Sequence, residues 1–233
     1  MRRIILLLLM SVSLFGQNEV ITARRRASAA PSGVTYDTYA GIATTGSGVA
    51  GGTITLGGTN RGVAIWMAFG NGSVPGDLAI TVGGVSATLV TGTTVGGYPV
   101  MAWYCVATGA LTGSQTISAT WGTATDGGGV AIAGAGVNQT TPCYNGTTTS
   151  GASPLSRSIT SSSGELTLSG AGAYDGATVT VASPGVQTSV WTNYVAGHYN
   201  LAGGYGTTSG TETHKWASSG SNMAVSGVTF KKP

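Results

Sequence analysis

Short apolar runs bounded by Gly, Ser, Thr or Asp recur every 8–15 positions from residue 34 to the C-terminus. They cover residues 34–43, 52–56, 62–69, 78–82, 85–89, 100–107, 115–121, 129–136, 156–160, 165–173, 178–181, 187–195, 199–203, 214–217 and 223–230. Their length and their content of β-branched and aromatic residues predict strands. No segment holds a helical period for three turns. Residues 78–82 and 85–89 flank Gly83-Gly84, the pattern of a two-residue hairpin with a primed turn. The run 100–107 is apolar on both faces: Met101, Trp103 and Cys105 point one way, Val100, Ala102, Tyr104 and Val106 the other. Such a strand is covered on both sides, and the meander 98–136 around it reads as the core of the fold. Residues 138–153 read as a polar loop.

The chain ahead of this pattern is different. Arg2-Arg3 precede an apolar run from Ile4 to Phe15, too short to span a bilayer, which needs about 20 residues. Residues 1–16 match a secretory signal peptide. Residues 17–33 form an arm with a strand-capable piece at 19–22 and three adjacent arginines, Arg24, Arg25 and Arg26. The arm reads as a spacer, a processed propeptide or a segment that docks on a neighbouring subunit. No linker divides residues 34–233. A loose similarity between the stretches beginning near Gly62 and Gly164 suggests two wraps of strands. The expected fold is a single all-β, antiparallel, jelly-roll-like β-sandwich after a signal peptide and a short arm.

Composition sharpens this. Charged residues are 7% of the chain, against about 25% in ordinary domains. Apolar residues are 41%, and Gly is 40 of 233, so the chain is uncharged but not core-poor. The formal charge of +3 comes from the leader and arm, which together hold five of the ten bases. From Ala27 onward five bases face six acids, a net −1. No basic patch is left for nucleic acid.

Candidate chemistry is sparse. No G-x-S-x-G occurs, and His198 and His214 are the only histidines, in no metal-binding spacing. Asp77, Asp126 and Asp175 sit beside turn glycines or prolines and read as turn residues rather than a paired-carboxylate site. No calcium-loop motif is present. The residues therefore predict no enzyme, no cofactor and no metal. Cys105 and Cys143 are the only cysteines. Export favours oxidation, and a bond between them would close a loop of about 38 residues, contributing about 4 kcal/mol; the alternative is two thiols, one buried and one in a loop. Three N-x-S/T sequons, at Asn71, Asn138 and Asn145, are candidate glycosylation sites. Trp191, Tyr194, Tyr199 and Tyr205, with Asn193, His198 and Asn200 as hydrogen-bond partners, are candidates for a glycan-stacking platform; the alternative is aromatics that close the core or an interface.

The order AITVGGVSATLV, VMAWYCV, GVNQTTP and a closing GVTFKKP resembles a loosely defined group of bacterial and environmental secreted β-sandwich domains. Such domains occur in surface and adhesive proteins, and signal-bearing single-domain relatives resemble subunits of extracellular fibres. The cysteine pair departs from that pattern. The resemblance implies a secreted structural subunit of a fibre or surface layer. With few charges to protect its edge strands, the chain is expected to assemble with copies of itself by strand exchange through residues 17–43. The alternative is an extracellular glycan-binding module.

Overall fold

The computed structural model describes residues 33–44, 48–70, 73–93, 99–109, 111–122, 127–174, 178–182, 187–195, 199–207, 209–220 and 222–233. The leader, residues 1–16, and the arm up to residue 32 lie outside the described residues.

Strands follow one another along the chain. The first half holds β1 (Thr35–Thr44), β2 (Val49–Leu56), β3 (Gly62–Phe69), β4 (Ala79–Val82), β5 (Val85–Ser86), β6 (Thr88–Thr93), β7 (Val100–Ala107), β8 (Gly113–Thr120) and β9 (Gly127–Ala135). The second holds β10 (Cys143–Gly151), β11 (Leu155–Ser161), β12 (Leu166–Tyr174), β13 (Val179–Val181), β14 (Gln187–Val195), β15 (Tyr199–Gly206), β16 (Gly210–Ser218) and β17 (Met223–Phe230). All pairings between them are antiparallel.

The first half makes one nine-stranded sheet, β5-β4-β8-β2-β1-β9-β3-β7-β6. It doubles back on itself at β1, which pairs with β9 through Ile42 and with β2 from Ala43. Its two terminal strands, β5 and β6, are separated in the chain only by Ala87, so the sheet nearly closes into a barrel. The second half makes a five-stranded sheet, β10-β17-β12-β15-β14, and a three-stranded one, β11-β16-β13.

The all-β antiparallel sandwich expected from the sequence is present. Its depth was not expected. Three buried clusters define four layers. Ile54, Ile80 and Ile117 of β2, β4 and β8 meet Ile65, Met67 and Tyr104 of β3 and β7. On the other face of those central strands, Trp66, Trp103 and Ile132 meet Leu168, Leu201 and Val228 of the five-stranded sheet. The far face of that sheet meets Trp216 and Val179 of the outermost sheet. This explains why β3 and β17 are buried at every position and β12 at every position but Tyr174. Alternation cannot appear in a strand whose two faces are both covered. The two-faced reading of 100–107 holds: Met101, Trp103 and Cys105 enter one core, Ala102, Tyr104 and Val106 the other.

Glycine permits the two middle layers to meet. A Cβ on Gly170 of β12 would lie 2.4 Å from the Trp66 indole, and one on Gly203 of β15 would lie 2.6 Å from Val130. Each large side chain of one sheet seats on bare backbone of the other. The indole N–H groups of Trp66 and Trp103 both donate to Ser226 Oγ, at 2.8 and 3.0 Å. One hydroxyl on β17 thus satisfies two donors that would otherwise be orphaned in the core.

Two local readings meet the structure differently. Gly83 and Gly84 both have positive φ, 55° and 80°, between paired Val82 and Val85, as the primed turn requires. Residues 138–153 are not a loop throughout, because they contain β10. That strand ends its sheet and six of its nine residues are Thr, Ser or Gly, so it lacks the apolar alternation by which strands are recognised.

Candidate functional site

A polar cluster lies sealed between β12 and β16. Glu212 and His214 are two residues apart on β16 and so share a face, as do Thr167 and Ser169 on β12. Ser169 Oγ lies 2.7 Å from His214 Nδ1, and His214 Nε2 lies 2.9 Å from Thr167 Oγ1 and 3.2 Å from the Glu212 carboxylate. Thr167 Oγ1 also donates to that carboxylate, and Trp216 Nε1 donates to Ser169 Oγ at 3.2 Å. The connectivity resembles a hydrolytic triad, but Thr167, Ser169 and His214 are fully buried. The cluster ties two layers together through charge-assisted hydrogen bonds in a dry interior. Sequence analysis missed it. The signal was present as Glu-x-His and Thr-x-Ser at strand spacing, but nothing local pairs the two strands.

Two flanks of the central sheet pair reach the surface. On one, β14, which ends the five-stranded sheet, lies beside β1, where the nine-stranded sheet doubles back, and both carry aromatics. Tyr36 and Tyr205 stack with ring centroids 4.5 Å apart and planes 11° apart. Burial, with smaller contributions from Tyr205, Tyr39 and Asp37, raises the Tyr36 pKa. Trp191 is half-buried against the core, over Gly41. Beside it Tyr39, Ser189, Val190 and Thr192 complete a shallow groove of about 310 Å³, and Tyr39 is 43% exposed. Of the candidate platform, Tyr205 is thus engaged in stacking and Trp191 borders a groove. Tyr194 and Tyr199 fall on β14 and β15, but their side chains, and all of His198, lie outside the described residues. Tyr39 was not foreseen, because it lies some 150 positions from Trp191 in a different strand.

The opposite flank holds a larger groove, about 520 Å³, between β6 and β10. Val85, Leu89 and Val90 line one wall, Thr141, Pro142 and Tyr144 the other. Its floor is the disulfide Cys105–Cys143, whose Cα atoms are 6.1 Å apart. That bond joins β7 of one middle layer to the start of β10 in the other. Tyr144 donates its hydroxyl to Glu165. Its pKa is raised, first by burial and then by that hydrogen bond.

The remaining candidates serve the frame. Asp37 accepts the Gly57 N–H at 2.7 Å and Asp77 the Gly122 N–H at 2.6 Å. Arg61, buried, donates to the carbonyls of Gly57, Gly58, Gly109 and Leu111. Asp126, Asp175 and Asn71 lie outside the described residues. Asn138 is half-buried, and its Oδ1 accepts the N–H groups of Thr140 and Thr141 at 2.9 Å. Asn145 lies not in a loop but in β10, exposed at a bulge with φ 55°. Among the described residues no group of three His, Cys, Asp or Glu could hold a metal ion. No helix among them is long and apolar enough to cross a membrane.

Compared with protein-family models, curated proteins and solved structures, the chain matches none. Its resemblance to secreted β-sandwich domains therefore rests on its motifs.

Proposed function

We propose that this chain is an exported structural protein that assembles with copies of itself into an extracellular fibre or surface layer. One observation carries the reading. Both terminal strands of the five-stranded sheet, β10 and β14, contain no Lys, Arg, Asp, Glu or Pro. Soluble monomers guard such edges with charge, proline or bulges, because an open edge recruits another strand. Each strand has one bulge, but residues 191–195 of β14 run in regular register beyond it. The leader pattern and the buried disulfide agree with an oxidising, extracellular setting.

Lysine on these edges tests the reading. Ser150→Lys and Thr192→Lys replace exposed residues on β10 and β14. The wild-type chain, exported with its leader intact, should carry an N-terminus at or beyond Gln17 and form polymers visible by negative-stain microscopy. The double variant should keep its far-ultraviolet circular dichroism and lose most polymer mass. A wild-type protein that stays monomeric at high concentration would sink the proposal.

The groove beside Trp191 favours a second reading, a glycan-binding module. Tyr39 offers an exposed ring face with the hydroxyls of Ser189 and Thr192 nearby, an arrangement suited to a sugar's apolar face and its hydroxyls. On this reading Tyr39→Ala should abolish binding on a glycan array with little change in stability. Absence of binding by the wild-type chain across such an array counts against it.

A further inference from the structure

We infer that the groove between β6 and β10 receives the N-terminal arm, residues 17–32, of a second copy of the chain as an added strand. This rests on the self-assembly reading and assigns it a docking site.

The groove is bounded by the terminal strands of two different sheets, since among the described residues β6 pairs with β7 alone and β10 with β17 alone. Neither strand has a charged residue or proline, and each carries its register shift where it borders the groove, between Leu89 and Thr91 of β6 and between Tyr144 and Thr147 of β10, so an added strand would pair beside those shifts. The groove also has an apolar side that water now touches. Four large hydrophobic residues are exposed among the described residues, and two of them, Val85 at 40% and Leu89 at 47%, line it. A strand with one or two β-branched residues would cover them.

The arm has the required chemistry and reach. Residues 19–22 read Glu-Val-Ile-Thr, which places Val20 and Ile21 on opposite faces of an extended segment. The described chain starts next to the groove's own wall. The Val34 N–H donates to the Gly164 carbonyl at 2.7 Å, and the next residue, Glu165, holds the hydroxyl of Tyr144, which lines the groove. Sixteen extended residues span about 50 Å, enough to leave that point and enter a neighbour's groove. The segment 35–44 is not available for exchange in this structure, because it is β1 and pairs with β9 and β2 of its own chain. Insertion between copies is head-to-tail and does not close on itself, so repetition yields a filament.

Cysteine trapping tests the docking. Full-length chains carrying Ile21→Cys are mixed with chains carrying Leu89→Cys, with Cys105 and Cys143 left in place. Mild oxidation should link most chains into a heterodimer, and peptide mapping should locate the bond between positions 21 and 89. Thr213→Cys, on an exposed position of β16, should give at least tenfold less. Independently, Leu89→Asp should remove polymers while leaving the fold intact. Polymers without the 21–89 link would overturn the groove assignment and leave self-assembly standing. A link found only within single chains of the Ile21→Cys/Leu89→Cys double variant would equally overturn it. Monomers throughout would overturn both.

Discussion

Gly170→Val should destabilise the protein by at least about 3 kcal/mol. The new Cβ alone would sit 2.4 Å from two atoms of the Trp66 indole, and valine adds two methyl groups beyond it. The ring cannot slide to make room. It is fully buried, and its N–H is held by Ser226, which also holds Trp103. Shifting the indole therefore orphans a buried donor as well as opening the packing of the two middle layers. Gly170 pairs with Gly203 on one side and Ser226 on the other, so the strain falls at the centre of the five-stranded sheet. Urea denaturation measures the loss. Trp66→Leu in the same chain should recover part of it, because the two positions contact each other and their effects should not add. A Gly170→Val protein within 1 kcal/mol of wild type would show that these layers do not meet at this point.

Removing the disulfide should cost about 4 kcal/mol. The bond spans 38 residues of chain, so its loss frees a long loop in the unfolded state. It also joins β7 of one middle layer to β10 of the other on that flank. Cys105→Ala/Cys143→Ala removes the bond without leaving a buried thiol or hydroxyl. The double variant should unfold at the same urea concentration with or without reductant. The wild type should match it only when reduced. Freshly exported protein with two free thiols would count against the bond, as would a variant as stable as wild type.

Much of the architecture was legible along the chain. The runs at 62–69, 100–107 and 223–230 became β3, β7 and β17 with bounds unchanged, because a strand covered on both faces is a continuous apolar run. Gly83-Gly84 became a turn because two positive φ angles in sequence admit few residues besides glycine. β10 escaped, because an edge strand needs little apolar surface and this one is largely hydroxyl-bearing. The candidate residues were harder to read. Cys105 and Cys143 could be named but not paired, since a bond depends on which strands neighbour each other and in what register.

The sequence by itself determined where most strands form, that the strand at 100–107 is buried on both faces, and that the folded unit carries little charge. Those properties live in composition and in the alternation of neighbouring side chains, which act over a few residues. Only the tertiary structure decided the rest. It stacked the strands in four layers, brought Glu212 and His214 against Thr167 and Ser169, put Tyr39 beside Trp191, and left a groove between β6 and β10. These contacts join distant parts of the chain: the two indoles that share Ser226 are 160 and 123 residues from it. No local pattern encodes such a meeting. It follows from the pairing of whole strands, where each hydrogen-bonded ladder constrains the next and glycine leaves the room that a tryptophan fills.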